Sequence, residues 1–286
     1  MVIKDLYKSR SPVVSFEVFP PKKDANIENI YETLGQMAVL SPDFISVTYG
    51  AGGSGSVNQT SEIASFIWRQ YGIQALAHLT CVGAKREYIR QTLDAMSAEG
   101  IRNTLALRGD LSGNERQDGD YRYAEDLIRE IRGHGDFCIG AACYPEGHID
   151  CDDSDLDLNY LLRKQEAGAD FLITQLFFDN DIFFRFLDRA RSRGVTLPIS
   201  AGVMPILGRR QIERMIFMCG VSLPSRIVKL LHKYEQKPAD MHKAGIENAA
   251  KQLEGLLRQG VDGVHIYTMN KPEIAEYCMR HIGRTQ

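Results

Sequence analysis

The sequence predicts an α/β chain folded as a (β/α)8 TIM barrel, with extra helices between the seventh and eighth strands. Three observations carry that prediction. Short apolar runs rich in β-branched residues recur roughly every 30 residues, the length of one strand–helix unit. There are eight: 13–19, 44–49, 74–80, 104–108, 137–143, 171–177, 198–203 and 263–268. Patterns with charged faces fill the intervals, and strand alternating with helix makes a parallel sheet covered by helices. The length, 286 residues, suits one barrel closed on itself, so 1–286 is read as a single catalytic barrel domain. An open, doubly wound sheet is the competing architecture.

The first run contains Val14-Ser15-Phe16-Glu17-Val18. Strand alternation sends Phe16 toward the helices and Glu17 into the lumen. A carboxyl there is costly unless paired or protonated, and burial favours the protonated form that can donate near neutral pH. The bland alternative is a structural pair between Glu17 and Arg108. The second run ends in Thr48-Tyr49 and leads into Gly50-Ala51-Gly52-Gly53-Ser54-Gly55, a match to G-x-G-x-x-G. A dinucleotide fingerprint also needs an acid closing the next strand. That strand ends instead in His78-Leu79-Thr80, so the glycines are read as a barrel loop that admits a flat ligand to the backbone. His78 is as readily a core histidine as a ligand contact.

The fourth run closes on Arg108-Gly109-Asp110, with Gly109 read as allowing close approach of a ligand. The fifth leads to Tyr144-Pro145-Glu146-Gly147-His148, the sixth to Thr174-Gln175, and the eighth to Tyr267-Thr268-Met269-Asn270. Helical patterns span 85–99, 123–132, 158–167 and 181–192. Gly100, Gly168 and Gly194 follow three of them as left-handed caps. The long interval 204–262 holds the extra helices. Within it Arg209-Arg210 reads either as an anion contact or as surface charge.

Function in such a barrel collects at the C-terminal ends of the strands, where nearly every strand here ends in hydrogen-bonding residues. A net charge of −3 argues against nucleic acid or an anionic membrane as the main partner. Six cysteines without a C-x-x-C pair give no metal site and read as free thiols. The first residues lack the apolar region of a signal peptide, and no run approaches the roughly 20 residues of a membrane span. A cytoplasmic location is expected.

In order and spacing, Ser15-Phe16-Glu17-Val18-Phe19-Pro20-Pro21, Thr48-Tyr49-Gly50-Ala51-Gly52-Gly53, His78-Leu79-Thr80-Cys81, Leu107-Arg108-Gly109-Asp110, Tyr144-Pro145-Glu146, Thr174-Gln175-Leu176-Phe177-Phe178-Asp179 and Tyr267-Thr268-Met269-Asn270 resemble the methylenetetrahydrofolate reductases. The resemblance covers almost the whole chain. It implies a flavoprotein oxidoreductase that holds FAD and reduces 5,10-methylenetetrahydrofolate to 5-methyltetrahydrofolate in one-carbon metabolism. NADH, NADPH or a partner electron-donating protein would be the reductant, in a homo-oligomer or hetero-complex.

By that resemblance Glu17 is the general acid, and Asp110 sits near flavin and pterin. Gln175, Gln211 and Lys271 hold the folate. Tyr49, Ala51, His78, Arg108, Gly109, Asp110, Tyr123, Ala124, Tyr144, His148, Asp157, Arg163 and Lys164 fall at FAD contacts, and Thr48 at a nucleotide contact. Lys271 stands where the family usually has arginine, Met215 where some members have phenylalanine, and Tyr160 where a polar FAD contact is expected. The chain has only one helical pattern after the eighth strand, so no regulatory domain and no inhibition by S-adenosylmethionine are expected. Two alternatives stay open. A flavin-free barrel lyase or aldolase needs a strand-end lysine, for which Lys271 is the candidate, or metal ligands. A non-catalytic folate- or flavin-binding subunit needs neither.

Overall fold

The computed structural model describes residues 1–21, 26–49, 57–110 and 118–284. Its strands are β1 (Val13–Val18), β2 (Phe44–Val47), β3 (Gln74–Thr80), β4 (Asn103–Leu107), β5 (Cys138–Cys143), β6 (Phe171–Thr174), β7 (Ile199–Val203) and β8 (Gly263–Tyr267). All pair in parallel with their sequence neighbours, and β8 returns to β1 to close the barrel. The expected fold is therefore what forms, although several strands stop earlier than their apolar runs. Thr48, Tyr49, Arg108 and residues 175–177 lie just beyond the ladder, because apolarity continues into the loops after pairing has ended.

Outside lie α2 (Glu28–Ala38), α3 (Val57–Tyr71), α4 (Arg86–Ala98), α5 (Ala124–His134), α6 (Ser154–Glu166), α7 (Asn180–Ser192) and α11 (Pro272–His281). The long seventh interval carries α8 (Arg209–Cys219), α9 (Ser225–Lys233) and α10 (Pro238–Arg258). Gly100, Gly168 and Gly194 have φ of 83°, 111° and 92°, the left-handed closures read from the sequence.

Alternation divides the strand residues between two cores. Phe16 and Val18 face the helices, in the shell that joins the sheet to its cover. Phe44, Leu76, Leu105, Cys138, Phe171 and Ile173 fill the lower lumen. A first helix, α1 (Ile3–Ser9), plugs that end with Ile3 and Leu6. Nothing in the sequence pattern marks α1, because it is short and long-range contacts fix it. Ile3 N donates to Asn103 Oδ1 (2.8 Å), Lys4 Nζ pairs with Asp170 (3.3 Å), and the Tyr7 hydroxyl bonds Ser200 Oγ (2.8 Å).

The β8–β1 seam is tied twice beyond its ladder. Thr268 Oγ1 donates to Glu17 O (2.6 Å), and the Asn270 amide both accepts from Phe19 N (2.9 Å) and donates to Phe19 O (2.8 Å). Asn270 and Met269 hold φ of 54° and 56° to make this reach, so part of this polar strand end serves closure of the barrel.

Bulky lumen residues also require glycine opposite them. A Cβ on Gly202 would stand 2.6 Å from Thr174 O and 2.8 Å from the Tyr267 ring. Backbone on one side and a buried ring on the other leave it nowhere to go. Gly202→Ala should therefore destabilise the barrel by about 1–3 kcal/mol, read as a lowered urea midpoint with an unchanged slope. An unchanged midpoint would show that this layer is loosely packed.

Candidate active site

Glu17 projects from the fifth position of β1 into the lumen, as alternation requires. Its side chain is 18% exposed and lies near two histidines, one from the adjacent strand β8 and one from β3, two strands away on the other side. His265 Nε2 on β8 is 3.4 Å from Glu17 Oε2, and His78 Nε2 on β3 is 3.6 Å from the same oxygen. Each imidazole is backed by a serine. His265 Nδ1 is 2.8 Å from Ser15 Oγ, and His78 Nε2 is 2.6 Å from Ser46 Oγ. The Glu17–Arg108 pair entertained from sequence does not form: Arg108 instead donates to Asp150 Oδ2 at 2.7 Å.

His265, Ser15 and Ser46 escaped the sequence reading. The signal was present, since His265 lies two residues before Tyr267 on a strand whose inward positions alternate. Tyr267 continues the cluster upward, its ring edge-on to His265 (5.2 Å, 88°) and its hydroxyl donating to Thr174 O (2.7 Å). Burial raises its phenol well above the ordinary range, and Glu17 and Tyr144 add smaller repulsions. Tyr267 therefore neighbours both Glu17 and the cavity that contains Tyr144.

That cavity, about 500 Å³, opens at the C-terminal ends of β4 and β5, between α5 and α6. Seven of the residues expected to contact cofactor line it: Arg108, Tyr123, Ala124, Tyr144, His148, Asp157 and Lys164. Helix geometry explains their convergence. Asp153 caps α6 by accepting from Asp155 N (2.8 Å) and Leu156 N (3.1 Å), which fixes where the helix begins. Asp157, Tyr160 and Lys164 then fall three and four residues apart on one face.

Arg163 lies off that face and does not line the cavity; its guanidinium rests 5.3 Å from the centre of the Tyr160 ring. Lys164 Nζ donates to Ala142 O (2.8 Å) and lies 5.4 Å from the centre of the Tyr144 ring. Burial lowers the Lys164 pKa against the opposing pull of Asp157, and burial raises that of Asp157 against the pull of Lys164. His148 packs edge-on to Tyr144 at 4.6 Å, its pKa lowered by burial and then by Arg108.

Other expected residues are placed differently. His78 is in the lumen beside Glu17 and not on the cavity wall. Gly109 takes φ 92°, and a Cβ there would lie 2.7 Å from Val82 Cγ1, so the neighbouring loop by itself already requires glycine. Asp110 is exposed at the end of the same segment; burial raises the pKa of Tyr144 and of Cys219, and Asp110 adds a smaller push to each. Thr48 Oγ1 is buried without a partner among the described residues, and Tyr49 is half-buried. Ala51 and the Gly50–Gly55 motif lie outside the described residues.

Gln175 Oε1 accepts from Leu176 N (2.9 Å), leaving its amide NH2 for another partner. Gln211, on α8, accepts from Leu207 N (2.7 Å) and donates to Pro205 O (3.2 Å). Lys271 is half-exposed and pairs with Glu273 (3.6 Å), an unfavourable setting for a Schiff-base lysine. Among the described residues no His, Cys, Asp and Glu group could hold a metal, and all six cysteines are free. Arg209 is a surface residue paired with Glu213 and Glu235. No helix among the described residues is long and apolar enough to cross a membrane.

Burial drives His78 down from 6.5 to about 4; Glu17 opposes that fall and His265 adds to it. The unfolded chain therefore binds more protons than the folded one between those values. Stability supplied by neutral His78 is complete above pH 6.5 and declines as pH falls toward 4. This one group should make the protein about 2 kcal/mol less stable near pH 5 than at pH 7. Urea midpoints for wild type and His78→Gln at both pH values measure the effect. Equal pH dependence in the two proteins would remove His78 as its source.

A family model described as methylenetetrahydrofolate reductase matches residues 2–283. The chain is 35% identical over 270 residues to the 5,10-methylenetetrahydrofolate reductase of Pectobacterium carotovorum, covering 94% of this chain and 89% of that one. It is also 35% identical over 284 residues to methylenetetrahydrofolate reductase (NADH) 1 of Zea mays, covering 94% of this chain and 48% of that protein. The chain thus spans about half the length of its plant relatives. A solved Clostridium thermocellum protein, described as binding two copies of 5-methyl-5,6,7,8-tetrahydrofolic acid, shares the fold at 15% identity. Its TM-score is 0.64, with 98% of this chain and 97% of that one covered. By the family match and the bacterial relative together, the chain belongs to the methylenetetrahydrofolate reductase family.

Proposed function

We propose that this chain binds FAD in the cavity between α5 and α6 and reduces 5,10-methylenetetrahydrofolate to 5-methyltetrahydrofolate, with NADH as the first reductant to test. The observation that carries the reading is a lumenal Glu17 held by two imidazoles and joined through Tyr267 to an aromatic, cation-lined cavity. The cavity suits a dinucleotide. Tyr123, Tyr144 and Tyr160 offer ring faces, while Arg108 and Lys164 offer positive charge. Lys164 is a buried ammonium that donates to a neutral carbonyl and has Asp157 as its nearby counter-charge, so a pyrophosphate would supply a further anion. The Asp157 carboxyl on the same helix face can accept from a ribose hydroxyl.

Bound FAD would supply the hydride, and the residues supply position and protons. Glu17 gives its proton to N10 of the folate, so that the C–N10 bond breaks and the carbon becomes a 5-iminium electrophile. A negatively charged Asp110 stabilises that cation, and the free amide NH2 of Gln175 orients the pterin. Gln211, tied at both ends of its amide to the loop after β7, positions the remainder of the folate from α8. The Lys271 ammonium offers a point charge to an anionic tail rather than a two-pronged grip.

The visible spectrum of the purified protein tests the reading. Flavin bands that bleach on anaerobic addition of 5-methyltetrahydrofolate are expected, and a protein that takes up no FAD would overturn it. Glu17→Gln should lower folate turnover by about 10²–10⁴ while flavin binding and bleaching by NADH survive. Unchanged turnover would end the acid role of Glu17. Lys164→Met should weaken FAD retention by about tenfold or more, the scale of a hydrogen bond to a charged group. Equal retention in equilibrium dialysis would move the pyrophosphate elsewhere.

A further inference from the structure

We propose that Ser15 and His265 are positioning residues that keep a proton on Glu17, by fixing His265 in the tautomer whose bare Nε2 faces that carboxyl. The inference rests on the reading of Glu17 as the acid. It starts from Ser15, whose Oγ lies 3.2 Å from Val264 O and 2.8 Å from His265 Nδ1. A serine hydroxyl has one hydrogen, and a backbone carbonyl can only accept. If that hydrogen went to Nδ1, two oxygens would face each other at 3.2 Å with no proton between them. With the hydrogen on Val264 O, Ser15 accepts from Nδ1–H, and a neutral His265 must leave Nε2 unprotonated.

Nε2 is the atom 3.4 Å from Glu17 Oε2. Two lone pairs cannot share that contact, so the proton between them belongs to the carboxyl, which donates. The competing arrangement, an imidazolium beside a carboxylate, places a charged ring in a fully buried lumen with Phe44 stacked 6.1 Å away. On the other side His78 Nε2 is taken by Ser46 Oγ at 2.6 Å. A hydroxyl donating there leaves His78 likewise without an N–H for Glu17.

Among the described residues, the titratable groups facing Glu17 are thus His78 from β3 and His265 and Tyr267 from β8, while β2 presents Ser46. None of these is a lysine or arginine. The carboxyl sits among acceptors, which suits the protonated acid and not its anion. When the proton passes to N10 of the folate, the carboxylate left behind meets no ring N–H, and water returns a proton before the next turnover.

Two measurements on the FAD-loaded protein test this. Nitrogen-15 NMR of the ring nitrogens, with His265→Gln for assignment, should find Nδ1 protonated and Nε2 bare at neutral pH. An imidazolium, or a proton on Nε2, would overturn the proposal without any change to Ser15. Infrared difference spectra should show a protonated-carboxyl band at neutral pH that Glu17→Gln removes. In Ser15→Ala, His265 is free to turn an N–H toward Glu17, so the band should titrate away at a pH lower by about one unit or more. The alkaline limb of the folate half-reaction should shift by the same amount, and Ser15→Thr should restore both. Coincident titrations in wild type and Ser15→Ala would sink the proposal. Failure of the reductase reading itself would look different, since wild type would then show no flavin bands or no response to folate.

Discussion

A carboxyl group inside a closed barrel has lost most of its water, and at Glu17 the neighbouring strands have to replace it. They do so with imidazoles backed by serines rather than with a lysine or arginine. The choice has consequences in every direction. Tyr267 stands one level above His265 in the lumen, so β7 must carry glycine where the tyrosine ring passes. The level beneath is apolar and capped by α1, so water does not reach the histidines from below. The seam that carries Glu17 is secured by Thr268 and Asn270, which hold the backbone at Glu17 and just beyond it.

The charges of the site are segregated. Arg108 and Lys164 line the cavity on the far side of Tyr144, and Arg108 is drawn outward by Asp150. Had Arg108 paired with Glu17, the carboxyl would have been held ionised and useless as a proton donor. On the proposed reading, cations stand where a polyanionic cofactor would fit and acceptors where the acid would keep its proton, so one barrel mouth serves both needs. The separation is a matter of a few strand positions, and Tyr267 spans it without carrying charge into the lumen.

Period-two reasoning made the eight strands legible, and with them the inward aim of Glu17, because those features depend on local alternation. The face of α6 was legible for a similar reason, since Asp157 and Lys164 are two helical turns apart. Arg163 failed the same test, lying one residue before Lys164 and so off the face. What could not be read were pairings settled by loops without a period: Arg108 with Asp150, and Gly109 against Val82. The plug helix was invisible because seven residues have too little periodicity to announce a helix, and its anchors lie about a hundred or more residues away. His265 is the instructive omission. It stands in an apolar run where a core histidine is the ordinary reading, and only the register opposite Ser15 turns it toward Glu17.

The long insertion after β7 closes the remaining gap between the two halves of the site. Glu146, in the loop after β5, accepts from Ser222 N at 2.9 Å, and Ile149 of the same loop packs 3.5 Å from where a Cβ would stand on Gly220. Gly220 takes φ 65° at the end of α8, which lets the chain turn onto that loop. The loop that presents Tyr144 and His148 to the cavity is therefore bolted to the helix that presents Gln211. On the proposed reading, a residue for the folate and residues for the cofactor share one connection that bypasses the barrel core. Three extra helices, with a cluster of their own around Met204, Ile206, Ile212 and Ile227, give that connection something firm to rest on. A bare eight-stranded barrel with short loops could hold Glu17 in the lumen, but it would have no second anchor for the groups that must meet it there.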